Sequence, residues 1–150
     1  MKKLYYTLSC LVIFSGLFNC VNTKNESLHF NETIAFEEQV DAKAQFERGL
    51  MYYWGQGTPQ NYKEALKWFN KSAKQGNPDA QYVLGGMYYL GDGVQQDYVL
   101  AHMWFDLAAA QGNVKALEIM GITAQKMSPA QIEKAQNLAR AQKNDPDLVR

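Results

Sequence analysis

Residues 44–79 read AQFERGLMYYWGQGTPQNYKEALKWFNKSAKQGNPD, and residues 80–115 read AQYVLGGMYYLGDGVQQDYVLAHMWFDLAAAQGNVK. Laid over one another, the two stretches agree at 17 of 36 positions, too many for chance. A unit recurring at this period is the signature of stacked structural repeats, each unable to bury its apolar face alone. Ala44, Ala80 and Ala116 share one phase, as do Gly49, Gly85 and Gly121, so a third block starts before the match fades.

Each block reads as two helices around a glycine turn. Asn77-Pro78 and Asn113 are start signals for the first helices: an N-cap side chain, with proline at the first helical position in one case. Gly55-Gln56-Gly57 and Gly91-Asp92-Gly93 end them, because glycine enters the left-handed backbone region at no steric cost. Asn61 and Asp97 cap the second helices, with Glu64 placed for a capping box, and Gly76 and Gly112 close them. In the third block the glycine turn is gone, and Ser128-Pro129-Ala130-Gln131 starts a fresh helix over residues 128–143. The expected fold is all-α, a short α-solenoid of antiparallel helix pairs: repeats at 44–79 and 80–115 and a cap at 116–143 within a 42–143 unit, with 144–150 a tail.

The chain begins MKKLYYTLSCLVIFSGLFNC. Lys2 and Lys3 precede an uncharged run over residues 4–18, roughly 22 Å as a helix at 1.5 Å per residue and too short for a roughly 30 Å hydrocarbon core. Residues 1–20 therefore read as an export signal. Cys20 closes the run with Leu17 three places before it, so Cys20 is a candidate for lipidation, although Asn19 and Phe18 are bulkier than such sites prefer. Residues 21–41 read as a polar tether leading into a short entry helix over residues 34–43. The expected location is exported: periplasmic, membrane-anchored as a lipoprotein, or secreted.

Charge narrows the ligand. Fifteen basic and fifteen acidic residues balance, and without Lys2 and Lys3 thirteen basic residues face fifteen acidic ones. Such a chain has no long-range pull on phosphate, which argues against nucleic acid, and any membrane contact falls to the N-terminal signal or a lipid. Cys10 and Cys20 are the only cysteines. With Cys10 inside the signal, no internal disulfide and no cysteine metal site is expected. His29 and His102 lack companions at ligand spacing, and His102 reads as a surface or boundary residue. Gly91-Asp92-Gly93 has no preceding strand and reads as a turn, not a phosphate loop. The expectation is no metal, no cofactor and no catalytic residue.

The pattern Ala-Gln-x-x-x-Gly-x-Met-Tyr-Tyr-x-Gly-x-Gly, then Tyr-x-x-Ala-x-x-Trp-Phe and Ala-x-Gln-Gly-Asn, resembles the Sel-one-like repeat, a longer relative of the tetratricopeptide repeat. The resemblance covers residues 44–115, with 116–140 as a C-terminal cap. It implies a right-handed superhelix and a noncatalytic adaptor that binds a protein or peptide, often in the bacterial envelope or secreted. The alternative it leaves open is an envelope enzyme of β-lactam or cell-wall hydrolase type, since some cysteine-rich members are credited with β-lactam chemistry. Their paired cysteines are absent here.

If the helices sit as in tetratricopeptide repeats, block positions three, seven and ten line an inner groove: Phe46, Leu50 and Tyr53, then Tyr82, Gly86 and Tyr89. Tyrosine gives broad contact plus a hydroxyl at low entropy cost, which suits peptide binding. Trp68, Phe69, Trp104 and Phe105 recur in phase and read as core. Gly49 and Gly85 are expected to let paired helices approach closely. Where the first repeat has Lys63, Glu64, Lys67 and Lys71, the second has Val99, Leu100, Met103 and Leu107. That apolar face is expected to lie under the 128–143 helix, or else to form a second patch for a partner or for dimerisation. Arg48, in place of an apolar residue, implies a looser first repeat or a salt bridge. The expected state is a monomer or weak oligomer.

Overall fold

The computed structural model describes residues 41–148. The export signal, Cys20, the tether and nearly all of the expected entry helix lie outside the described residues. Six helices follow in order: α1 (Ala42–Trp54), α2 (Tyr62–Lys74), α3 (Pro78–Leu90), α4 (Tyr98–Ala110), α5 (Val114–Ala124) and α6 (Pro129–Asn144). There is no strand among them. The fold is an all-α solenoid of repeats.

The helix boundaries follow from local chemistry. Asn61 Oδ1 accepts from the backbone N–H groups of Lys63 and Glu64, and Asp97 Oδ1 does the same for Val99 and Leu100. Asn77 caps α3 through Asp79 and Ala80 N–H, and Asn113 caps α5 through Ala116 N–H. These bonds satisfy donors that a helix start leaves without an intrahelical partner. Glu64 pairs with the Lys67 ammonium, so the complete capping box belongs to α6, between Ser128 and Gln131. Gly55 and Gly91 end α1 and α3 at φ 70° and 86°, where a side chain would be strained.

Each complete repeat pairs its two helices face to face, α1 with α2 and α3 with α4, and the pairs stack through α2 on α3 and α4 on α5. A Cβ at Gly49 would stand 2.5 Å from the Phe69 ring, and one at Gly85 would stand 2.5 Å from the Phe105 ring. Only glycine allows that crossing. Phe69, Phe105, Leu84, Met87 and Trp104 fill the core, with Ala65, Ala101 and Ala108 completing it.

The third block departs from this plan. Helix α6 packs along α4 instead of pairing with α5. Met103 is fully buried, and Leu100, Leu107 and Leu138 are partly buried against the same core. The apolar face of the second repeat is thus covered in part: Met103 is unavailable to a partner, while Val99, Leu100 and Leu107 are half-buried. His102 is 4% exposed, which corrects its surface or boundary assignment. The sequence misled because α4 is buried on more sides than α2, so even its polar positions go inside. Arg48 forms no salt bridge among the described residues: its guanidinium lies 4.3 Å from the Trp68 ring centroid, and the Lys71 ammonium lies 4.9 Å from the same centroid.

Candidate functional groove

The first helices of the three blocks, α1, α3 and α5, line one face of the stack. Between them lies a hollow of about 430 Å³, walled by Leu50, Tyr53, Trp54, Tyr82, Val83, Gly86, Tyr89, Leu90, Phe105, Ile119 and Ile122. No charged side chain contributes to the wall. Five of the six expected groove residues come together there: Leu50, Tyr53, Tyr82, Gly86 and Tyr89. Phe46 does not. It sits in a neighbouring hollow with Asp41, Lys43 and Glu47, its ring 5.6 Å from that of Phe69.

Position seven of the block supplies Leu50 and Gly86, and its third copy is Ile122. Extending the same rule into the third block would have found it. Position four supplies Val83 and Ile119, and position eleven supplies Trp54 and Leu90. Those last two are each 63% exposed, and their helix-end location gave no sequence signal for the groove.

The tyrosines are held by their surroundings. Gln60 donates an amide hydrogen to the Tyr53 carbonyl at 2.8 Å, and Gln96 does the same for the Tyr89 carbonyl at 2.7 Å. Both latches satisfy carbonyls at a helix end, where intrahelical donors run out. The Tyr53 ring packs edge-on to Trp54 at 4.9 Å and to Tyr62 at 5.2 Å. Tyr82 lies 5.9 Å from Phe105, and Tyr89 lies 5.5 Å from Tyr98.

The hydroxyls differ in what they do. Tyr53 donates to Asp92 Oδ2 at 2.8 Å, tying the first repeat to the turn of the second. Burial first, and the Asp92 carboxylate next, push its pKa up to about 12, so it stays a phenol. The hydroxyls of Tyr82 and Tyr89 have no such bond among the described residues, and both rings are only partly buried. Gly86 opens the floor, since a Cβ there would meet nothing within 4 Å. Among the described residues, no group of three His, Cys, Asp or Glu side chains is placed to hold a metal ion.

Comparison with known proteins bears on the repeats and the fold. The sequence model of the Sel1 repeat matches residues 42–77 and 78–113. Over 37 residues the chain is 49% identical to L18, a sel1-like repeat-containing protein of Acanthamoeba polyphaga mimivirus, covering 25% of this chain and 6% of that protein. A protective antigen present in uropathogenic Escherichia coli strains, solved as an SLR fold, is 32% identical with a TM-score of 0.67. That match covers 79% of this chain and 25% of the antigen. A Sel1 repeat protein from Oxalobacter formigenes, also 32% identical, has a TM-score of 0.55 over 65% of this chain and 39% of its own. The chain therefore spans well under half the length of each of these relatives.

Proposed function

Because this chain is a Sel1-repeat protein, we propose that it is a noncatalytic adaptor whose groove between α1, α3 and α5 grips an apolar segment of another protein. Sel1 repeats typically mediate protein–protein interaction. One observation carries the finer reading: an open, uncharged aromatic hollow whose Tyr82 and Tyr89 hydroxyls make no hydrogen bond among the described residues. An apolar wall with a few convergent polar groups is the usual make-up of a binding cleft. A segment laid there would bury aliphatic or aromatic side chains against Leu50, Trp54, Leu90 and Ile122. Its backbone would meet the two hydroxyls. With two complete repeats the groove is short, so modest affinity, raised by multivalent display, is expected.

The proposed setting is the bacterial envelope, reached by export on residues 1–20 and retained through a lipid on Cys20. Metabolic labelling with a radioactive fatty acid tests this: the wild type should incorporate label and Cys20→Ser should not. Absence of label from both would refute lipidation. For the groove, crosslinking capture from an envelope extract should compare the wild type with Gly86→Leu, which fills the floor without touching the core. A partner captured equally by both would eliminate the groove as its binding site.

A further inference from the structure

The exposed side of α5 is the face that α1 and α3 bury against their own second helices. Block position two is Gln45, Gln81 and Leu117. Gln45 is 1% exposed and Gln81 5%, whereas Leu117 is 56% exposed. Block position six is Gly49, Gly85 and Gly121. The first two meet a phenylalanine ring, while a Cβ on Gly121 would meet nothing within 4 Å. Val114, one turn before Leu117, is 67% exposed. Polarity therefore runs opposite to burial: glutamine where the position is covered, leucine where it is open. A solvated end would favour the reverse.

The geometry points to a vacant helix slot on α5 that receives an amphipathic helix from a partner protein, an aromatic ring seated on Gly121 and an apolar residue on Leu117. The two filled copies of the slot specify the occupant. In α2 and α4 the ring is Phe69 or Phe105, and three residues on stands the small Ser72 or Ala108. The Ser72 hydroxyl donates to the Ala42 carbonyl, so this small residue faces the position that Val114 takes in α5. Six residues beyond the ring are Gln75 and Gln111, whose amides donate to the Gln45 and Gln81 side chains at 2.9 and 2.7 Å. Leu117 in place of a glutamine removes that acceptor. The matching partner residue is then apolar, because an amide set against Leu117 loses the acceptor that Gln45 and Gln81 supply. Among the described residues a second copy of this chain has no such helix to offer, since Phe69 and Phe105 are both buried in its own core.

The slot is separate from the groove, so the two can fail independently. The probe is a labelled peptide of residues 61–76, NYKEALKWFNKSAKQG, carrying Gln75→Leu, titrated against the full-length protein by fluorescence anisotropy. It should bind several-fold tighter than the unsubstituted peptide, the gain expected of burying a few extra methylene groups. Phe69→Ala in the peptide, or Gly121→Leu in the protein, should each weaken binding about tenfold or more, as loss of a central anchor does. Gly121→Leu should fold normally, because the position is open. Gly86→Leu should leave the affinity unchanged. The idea is overturned by no saturable binding, by indifference to Gly121→Leu, by the unsubstituted peptide binding as well, or by Gly86→Leu weakening it equally. It is equally overturned if the protein dimerises by sedimentation and Leu117→Glu makes it monomeric, since the slot would then belong to a second copy.

Discussion

Adding one methyl group at Gly85 and at Gly121 should move stability in opposite directions, although both glycines lie inside helices at one repeat position. Gly85→Ala places Cβ 2.5 Å from Phe105 Cδ1 and Cε1 and 3.0 Å from Cγ. Carbon atoms rest at about 3.5–4.0 Å, so the ring or the whole of α4 must retreat by roughly 1 Å. Phe105 is 1% exposed and has Tyr82 against it, so the ring cannot shift without disturbing its packing. Overpacking of this kind costs about 1–3 kcal/mol. Alanine returns about 1 kcal/mol of helix propensity. The net expectation for Gly85→Ala is a loss of up to about 2 kcal/mol, and Gly85→Leu should lose more. At Gly121 no neighbour lies within 4 Å, so only the propensity remains, a gain of about 1 kcal/mol. Urea unfolding followed by circular dichroism gives the readout, the two midpoints straddling the wild type. If Gly85→Ala matched Gly121→Ala, or stabilised at all, the close glycine–phenylalanine crossing would not be what sets the helix spacing.

Four further outcomes follow from the hydrogen bonds, caps and buried groups. Tyr53→Phe removes the bond to Asp92 and should cost about 0.5–1 kcal/mol. Spectrophotometric titration should lose one phenol ionising at about 12, and wild-type stability should decline as pH rises from 10 toward 12, where the unfolded chain releases this proton first. Burial lowers the His102 pKa, only partly opposed by Asp106. The unfolded state therefore takes up the proton first, and stability should fall as pH drops below about 6.5. His102→Leu should flatten that slope, and an unchanged slope would show that other groups dominate. Truncation after Lys126 removes α6 from α4, so the shortened chain should bind more of a hydrophobic dye than the full chain does. Ser128→Ala should weaken the same helix by about 1 kcal/mol, measured by urea midpoint.

The period, the caps and the glycine turns were legible because each is a local rule: a side chain two or three residues from its N–H, or a glycine at positive φ. Five groove residues were legible for a similar reason, since repeat phase carries one helix face onto the next. What stayed hidden depends on chain segments that phase does not connect. The glutamine pairs join side chains thirty residues apart, and nothing in either helix alone says they meet. Phe46 shares a helix face with Tyr53, yet the start of α3 near Pro78 gives it a different hollow. His102 looked peripheral because it has no companions at ligand spacing, whereas α6 closes over α4 and the imidazole Nδ1 is buried without a hydrogen-bond partner among the described residues.

Differences between the repeats, more than their identities, show where each one sits in the stack. Trp68 and Trp104 occupy the same position, but Trp68 lies half-buried beneath the Arg48 and Lys71 cations, with its outer helix face in water. Trp104 is fully buried, with Leu84 where the first repeat has Arg48 and Leu107 where it has Lys71. Exchanging cation for leucine at both positions converts a solvated helix face into one that needs a cover, and α6 supplies it. By the same logic, glutamine exchanged for leucine at position 117 marks a face that needs a cover which no described part of this chain provides. One rule of apolar burial thus explains both the covered α4 and the vacant α5. Gly121 separates the two cases: its space is open, while every comparable glycine in the stack is filled by a ring.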